Sequence, residues 1–422
     1  MAAQGRHRGL PWGIILEAHD FNIPLAILLT GLLVVLTMLV KPIFKWAKLP
    51  PLVGYLALGV LLSAVNRQWP LLSAGGEEML SFLATLGLVS LLFKVGLESN
   101  LAGLLKQLPK ASLIWVGDIL ISGTAGYLAS VYLLGLSWTT AVIIAVALSA
   151  TSVGISVGVW QSRKALDTPE GEFLLDVAEL DDISAVLLMA LLFALLPEIH
   201  SGGNQIWQLA VHSAGLFLAK ILLFSLACLG FSRYLEKPLT RFFTQREAPP
   251  DPMLAVVGIG LIFAALAGLL GFSVAIGAFL VGLVFSRDPE AVKMEASFQP
   301  VYELFSPFFF IGIGFDIDLA SLGGAVIPGL VLLLVAILGK LVADGLPVYF
   351  LQGKTAAALI GVSMVPRAEI AMVIMSRGRD LGQWAVPASV YSAMVLVCAA
   401  TCILAPLTVG RLLEKWPPQG ED

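Results

Sequence analysis

The sequence predicts an all-α integral membrane protein of about thirteen transmembrane helices, arranged as an inverted repeat with two crossed, broken helices. Three observations lead there. The 422 residues are 58% hydrophobic and only 13% charged, with a mean hydropathy of +0.92, far too apolar for a chain of this length that folds in water. The apolar residues fall in runs close to the ~20 needed to cross a bilayer as a helix. Finally, the residues that lipid tolerates least recur at one depth in four separate runs.

In chain order the predicted spans are 22–40, 51–65, 79–96, 111–134, 138–160, 172–197, 206–230, 252–269, 272–286, 299–314, 323–349, 354–376 and 387–410. The short ones, 51–65 and 272–286, rest on the fewest apolar residues, and the stretch 251–286 also divides at Gly268 and Gly271. The N-terminal segment has basic residues but no short apolar core followed by a small-residue cleavage site, so no removable signal peptide is expected. No low-complexity tract or soluble domain interrupts the spans. Cys228, Cys398 and Cys402 all lie in apolar runs and read as core filler. Basic residues fix the topology. With an odd number of spans and the N-terminus outside, sixteen lysines and arginines, among them Lys41, Arg163, Arg241, Lys354 and Arg411, fall on the cytoplasmic side. Only Arg6, Arg8, Arg67, Arg377 and Arg379 fall outside, which places the C-terminus in the cytoplasm and suits a cell (inner) membrane.

Depth follows from a rise of about 1.5 Å per residue. The span entered near Phe173 brings the adjacent pair Asp181 and Asp182 roughly 12–15 Å in, at the midplane. One ionisable group there costs at least about 2.5–3.5 kcal/mol, and two side by side also repel. The preceding span carries Ser149-Ala150-Thr151-Ser152-Val153-Gly154 at the same depth. Lys340, followed one turn later by Asp344, lies at similar depth in the span from 323, and Pro366-Arg367-Ala368-Glu369 in the next. A mid-helix proline frees a carbonyl, and a Thr-Ser-Val-Gly run suits unwinding. Paired interruptions in the two halves of a chain mark transporters with inverted repeats, because unwound backbone survives at that depth only inside protein or beside a cavity.

Plainer readings stand beside these. Thr151 and Ser152 also suit bonds to carbonyls one turn back, and Pro366 a simple kink. Lys94, near a span end, reads as a snorkelling side chain. Asp118, Asp176 and Glu179 fit either a cytoplasmic funnel or structural pairing, and Lys220 has no local partner. For Asp181 and Asp182 a buried salt bridge accounts for one carboxylate but not two. Adjacent carboxylates titrate as a unit. Together with the Thr151 or Ser152 hydroxyl and freed carbonyls they offer a hard monovalent cation the oxygen ligands it prefers. Lys340 neutralises one of them. Proton and cation then compete for the same oxygens, which is the physics of antiport. No nucleotide loop, zinc motif, nucleophile elbow or Rossmann pattern was found, so neither an enzyme nor a cofactor is expected, and an ion gradient supplies the energy.

At these residues the chain resembles the monovalent cation:proton antiporter-2 family. The motifs cover nearly the whole chain: Pro51-Leu52-Val53-Gly54-Tyr55-Leu56 with Leu58-Gly59, Leu91 to Glu98, Ser149 to Ile155, Leu180-Asp181-Asp182-Ile183, Pro307 to Gly314 and Pro366-Arg367-Ala368-Glu369. The resemblance implies that Asp182 is the principal ion-binding carboxylate and that Asp181 pairs with Lys340 until cation or proton disrupts the pair. It also implies a homodimer in which a transport bundle moves against a dimerisation bundle. The first is expected from about 79–197 and 299–376 in part, the second from about 22–65, 206–286 and 387–410. The sequence departs from the family pattern at Ala368, where glycine is frequent, and at Asp344, which offers Lys340 a competing partner. It also lacks the nucleotide-binding regulatory domain of potassium-efflux relatives. The expected function is exchange of Na⁺ (or Li⁺) for protons, electrogenic and serving pH homeostasis. K⁺/H⁺ exchange is the alternative within the class, and a sodium-coupled organic-anion symporter the alternative outside it.

Overall fold

Every described element of the computed structural model is helical; no strand occurs among the described residues. The structure describes residues 23–417 apart from 48, 99–100, 167, 201–205, 237, 239–251, 271–272 and 286–290. Arg6, Arg8, Lys48, Lys237, Arg241, Arg246, Gly271 and Arg287 lie outside them, as do the side chains of Lys106, Lys110, Glu179 and Lys293.

In order, the helices are α1 (Ile23–Trp46), α2 (Pro51–Gln68), α3 (Ala74–Glu98), α4 (Leu101–Leu128), α5 (Trp138–Ser149), α6 (Val153–Ser162), α7 (Pro169–His200) and α8 (Ile206–Phe231). They continue with α9 (Pro252–Leu269), α10 (Val274–Phe285), α11 (Ala291–Phe315), α12 (Leu322–Ala343), α13 (Gly345–Ser363), α14 (Glu369–Asp380) and α15 (Ala388–Lys415). Seven helical stretches among the described residues are long and apolar enough to cross a membrane, one of them the α5–α6 pair taken together. Their outward faces are greasy, the inverse of a water-soluble protein. Leu28, Leu32, Val35 and Leu39 on α1, and Ile327, Leu330, Leu334 and Leu338 on α12, form exposed stripes at helical spacing.

Local chemistry sets the helix ends. α5 starts where the Ser137 hydroxyl accepts a hydrogen bond from the Thr140 amide and stops where Ala150 turns extended (φ −63°, ψ 137°). α12 and α13 are nearly continuous, since the Asp344 amide still bonds to the Lys340 carbonyl. The path breaks instead at Gly353, whose φ of 88° suits glycine. The expected boundary between spans 323–349 and 354–376 therefore falls inside α13.

Packing sorts the helices into two groups. α3 lies against α10 and α11, and α11 against α2, with α1 and α9 at the margins. The approaches are close because glycines face backbone. A Cβ on Gly96 would collide with the Phe279 carbonyl and one on Gly282 with that of Phe93, a reciprocal contact of α3 and α10. Gly59 and Gly314 join α2 and α11 in the same way. The second group holds α4 to α7 and α12 to α15, with α12 packed on both α4 and α15. α8 touches α7 of one group and α10 of the other. This grouping differs from the sequence-based division: 79–96 and 299–314 pack with 51–65, and 387–410 packs with the broken helices. The glycines that draw α3 and α11 toward α2 and α10 account for the difference.

Candidate functional site

Two interrupted helices meet in the second group. α5 and α6 are separated by Ala150-Thr151-Ser152, and α13 and α14 by Met364 to Ala368. The linkers touch backbone to backbone, the Ser152 amide donating to the Pro366 carbonyl at 2.9 Å. Each break exposes helix ends, and Arg367 of the second linker and Glu369 just after it serve one kind each. Arg367, fully buried, directs Nη1 at the carbonyls of Met364 (3.0 Å), Val365 (3.1 Å) and Pro366 (3.1 Å), the negative end of α13. Glu369 opens α14 at its positive end and accepts a hydrogen bond from the Ser152 hydroxyl at the start of α6. α15 holds the linker from outside. The Arg367 amide donates to Thr401 Oγ1 at 3.1 Å, and Cys402 Sγ donates to the Arg367 carbonyl at 3.2 Å. The Trp160 indole on α6 donates to Ser363 Oγ at 2.9 Å, tying the two broken helices once more.

Next to the crossing, three carboxylates surround one ammonium. Lys340 Nζ on α12 lies 2.5 Å from Asp118 Oδ2 on α4, 3.5 Å from Asp181 Oδ2 on α7 and 3.6 Å from Asp344 Oδ2 one turn along its own helix. All four side chains are buried. The Arg367 guanidinium is near enough to act electrostatically on the three aspartates. Buried carboxylates outnumbering their cations cannot all be ionised without leaving net charge inside the protein, so such a cluster is suited to holding protons. Asp181 Oδ2, both Asp344 oxygens and Thr151 Oγ1 are buried without a hydrogen-bond partner. Asp182, next along α7, is half-buried.

The expected residues thus converge. Asp181, Lys340 and Asp344 share one cluster, while Thr151, Ser152, Pro366, Arg367 and Glu369 build the crossing beside it. The expected Asp181–Lys340 ion pair is present at 3.5 Å, but it is not the shortest that the lysine makes. Lys340 is held most closely by Asp118, with Asp181 a full ångström farther away. The lone Asp118 inside Trp115-Val116-Gly117-Asp118-Ile119-Leu120 carries the same cost argument that singled out Asp181, and that signal was sufficient to find it. Thr401 and Cys402 gave no such signal; small polar residues in an apolar helix read as filler. Lys220 is exposed on α8, and Asp176 is only partly buried. Lys94 lies 5.0 Å from the Tyr302 ring centroid.

Two cavities open at opposite ends of the described helices, and the larger one runs in to the crossing. A cavity of about 1280 Å³ opens where Lys41, Arg163 and Glu414 stand and runs in to Gly154, Ile155 and Glu369. A second, of about 530 Å³, lies among Glu77, Asp316, Arg377 and Asp380 and runs in to Leu88 and Phe309. Neither is walled by Asp181 or Asp182.

Comparison with known proteins agrees with this geometry. The family described as sodium/hydrogen exchanger, transmembrane, matches residues 32–415. The chain belongs to that family. It is accordingly a multi-pass membrane transporter and not an enzyme. Over 347 residues it is 27% identical to the high-affinity Na⁺/H⁺ antiporter NhaS3 of Synechocystis, covering 80% of this chain and 72% of that one. It is also 27% identical over 360 residues to the Na⁺/H⁺-K⁺ antiporter GerN of Bacillus cereus, with 85% and 88% covered. Among solved structures, the sodium proton antiporter MjNhaP1 from Methanocaldococcus jannaschii superimposes with a TM-score of 0.67. That match covers 94% of this chain and 97% of that one at 16% identity, a likeness of fold.

Proposed function

We propose that this cation/proton antiporter exchanges Na⁺ (or Li⁺) for protons, with Asp182 as the principal cation ligand and Asp181 and the Thr151 hydroxyl beside it. The observation that carries this reading is the conjunction of two crossed helix breaks with a buried cluster in which carboxylates outnumber cations. The orphaned Thr151 Oγ1 and Asp181 Oδ2 are hard oxygen donors of the kind a small monovalent cation takes. The surplus of buried carboxylates over cations supports more than one proton per cation, and hence electrogenic exchange. The basic end faces the cytoplasm, so the larger cavity is the inward access path and the acidic one the outward vestibule. The chain works as a homodimer through the glycine-packed group of helices, while the group with the broken helices carries the ion. Na⁺ and K⁺ are both named for GerN, which makes K⁺/H⁺ exchange the second reading.

Purified protein in proteoliposomes, challenged in turn with Na⁺, Li⁺ and K⁺ while internal pH is followed, tests this. A Na⁺- or Li⁺-induced pH change is expected. A response to K⁺ alone selects the second reading, and folded protein silent to all three overturns both.

A further inference from the structure

We infer that Asp118 is the resident partner of Lys340, a positioning residue that keeps the ammonium away from the cation site so that Asp181 stays available to the ion. This rests on the exchange reading and deepens it. Both Asp118 oxygens are occupied: Oδ2 by Lys340 Nζ at 2.5 Å and Oδ1 by the Ser122 hydroxyl, which donates at 2.7 Å. Asp181 is 3.5 Å from the same ammonium, beyond a good hydrogen bond, and its Oδ2 has no hydrogen-bond partner. Asp344 is in the same position at 3.6 Å. The geometry therefore divides one committed carboxylate from two uncommitted ones.

The division is built into the packing. α4 and α12 approach closely where Gly339 faces Ser122, a Cβ there lying 3.4 Å from Ser122 Oγ, and where Gly117 faces the Ala343 carbonyl at 3.5 Å. Those neighbours set Lys340 directly against Asp118. Both helices belong to the same group, so the pair travels intact when that group moves as a body. Asp181 arrives from a third helix, α7, next to the half-buried Asp182. A cation at Asp181 then has no need to displace the lysine, and Lys340 acts as a fixed counter-charge. Without Asp118 the ammonium turns to Asp181 and competes with the ion.

The test combines Na⁺ titration of flux in proteoliposomes with Na⁺-dependent thermal stabilisation in detergent, which reads binding even where transport is lost. Asp118→Asn should raise the apparent KM for Na⁺ about tenfold while changing the maximal rate less, and Asp118→Glu should recover part of the affinity. Ser122→Ala, which frees Asp118 without removing charge, should shift KM the same way by less; it covers the case in which Asp118→Asn does not fold. In a Lys340→Gln background, Asp118→Asn should leave Na⁺-dependent stabilisation unchanged, because no ammonium remains to be redirected. An unchanged KM in Asp118→Asn beside a responsive wild type overturns this inference alone, as does an equal loss of Na⁺ stabilisation in both backgrounds. A wild type unresponsive to Na⁺, Li⁺ and K⁺ overturns the exchange reading and the inference with it.

Discussion

The two helix groups solve the problem of packing in lipid by opposite means. α2, α3, α10 and α11 meet through glycines, with main chain close to main chain at Gly59–Gly314 and Gly96–Gly282. Little there depends on charge. The group of α4 to α7 and α12 to α15 gives up regular hydrogen bonding at two places and restores it with Arg367, Glu369, Thr401 and Cys402. Four more charged side chains are then buried beside the breaks. The first arrangement maximises dispersion contacts, which is what holds helices together where no hydrophobic effect operates between them. The second spends stability on polar groups, each of which needs a function or a partner. The proposed division into a frame and an ion-handling element follows these two kinds of packing.

The comparison breaks most sharply at Asp182. Asp182→Asn should bring Na⁺-driven proton flux down to that of protein-free vesicles while leaving the thermal midpoint unchanged, since charge is lost and no packing is. Retained flux would remove Asp182 as the principal ion ligand. Next in size is Arg367→Ala, which leaves three carbonyls without their donor and the buried aspartates with Lys340 as their remaining buried counter-charge. It should cost about 3–5 kcal/mol of stability in thermal or denaturant unfolding. Arg367→Lys should recover only part of this, because a single ammonium cannot copy the planar guanidinium fork. In the glycine-packed group the balance reverses. Gly282→Ala drives a methyl into the Phe93 carbonyl and should cost about 1–3 kcal/mol, yet flux per folded molecule should persist. Lost flux at full stability would make α10 part of the ion path.

Much of this was legible in the sequence, and the gaps have physical causes. Ser149 to Gly154 and Pro366 to Glu369 announced both helix breaks, because polar or proline-bearing stretches at mid-membrane have few other uses. Asp181 and Lys340 stood out by the cost of burying them, and Asp344 as a competing partner one turn from Lys340. Partner choice was not legible. Lys340 and Asp118 are 222 residues apart, and which carboxylate lies nearest depends on how Gly339 and Gly117 set one helix on another. Membership of the two groups was hidden for the same reason. Gly87 and Gly96 look like ordinary small residues until a facing carbonyl is seen. Cys402 read as filler, and it is buried, but its thiol also holds the Arg367 carbonyl.

The finest test lies at the vestibule end, where the last turn of α14 reaches across to the glycine-packed group. Arg377 Nη2 donates to Ser273 Oγ at 3.1 Å, and Arg379 Nη1 to the Asp316 carbonyl. Two aspartates near this junction are perturbed in opposite senses. Burial pushes the Asp316 carboxyl above its ordinary range; Arg379 opposes the push, and Asp380 and Glu77 add to it. The hydrogen bond from Arg67, with help from the Ala320 amide, holds Asp318 below its range. A carboxyl whose folded-state value is raised opposes folding at neutral pH, and that opposition fades as pH falls through the raised value. One whose value is depressed favours folding above its unfolded value, and the benefit is lost as pH falls through the folded one. Asp316→Asn should therefore raise the thermal midpoint slightly at neutral pH, by well under about 1 kcal/mol, and Asp318→Asn should lower it. Both variants should converge on wild type under acid conditions. Midpoints measured from neutral to acid pH check the signs, and equal signs would mean that the vestibule is too well solvated for its two aspartates to differ.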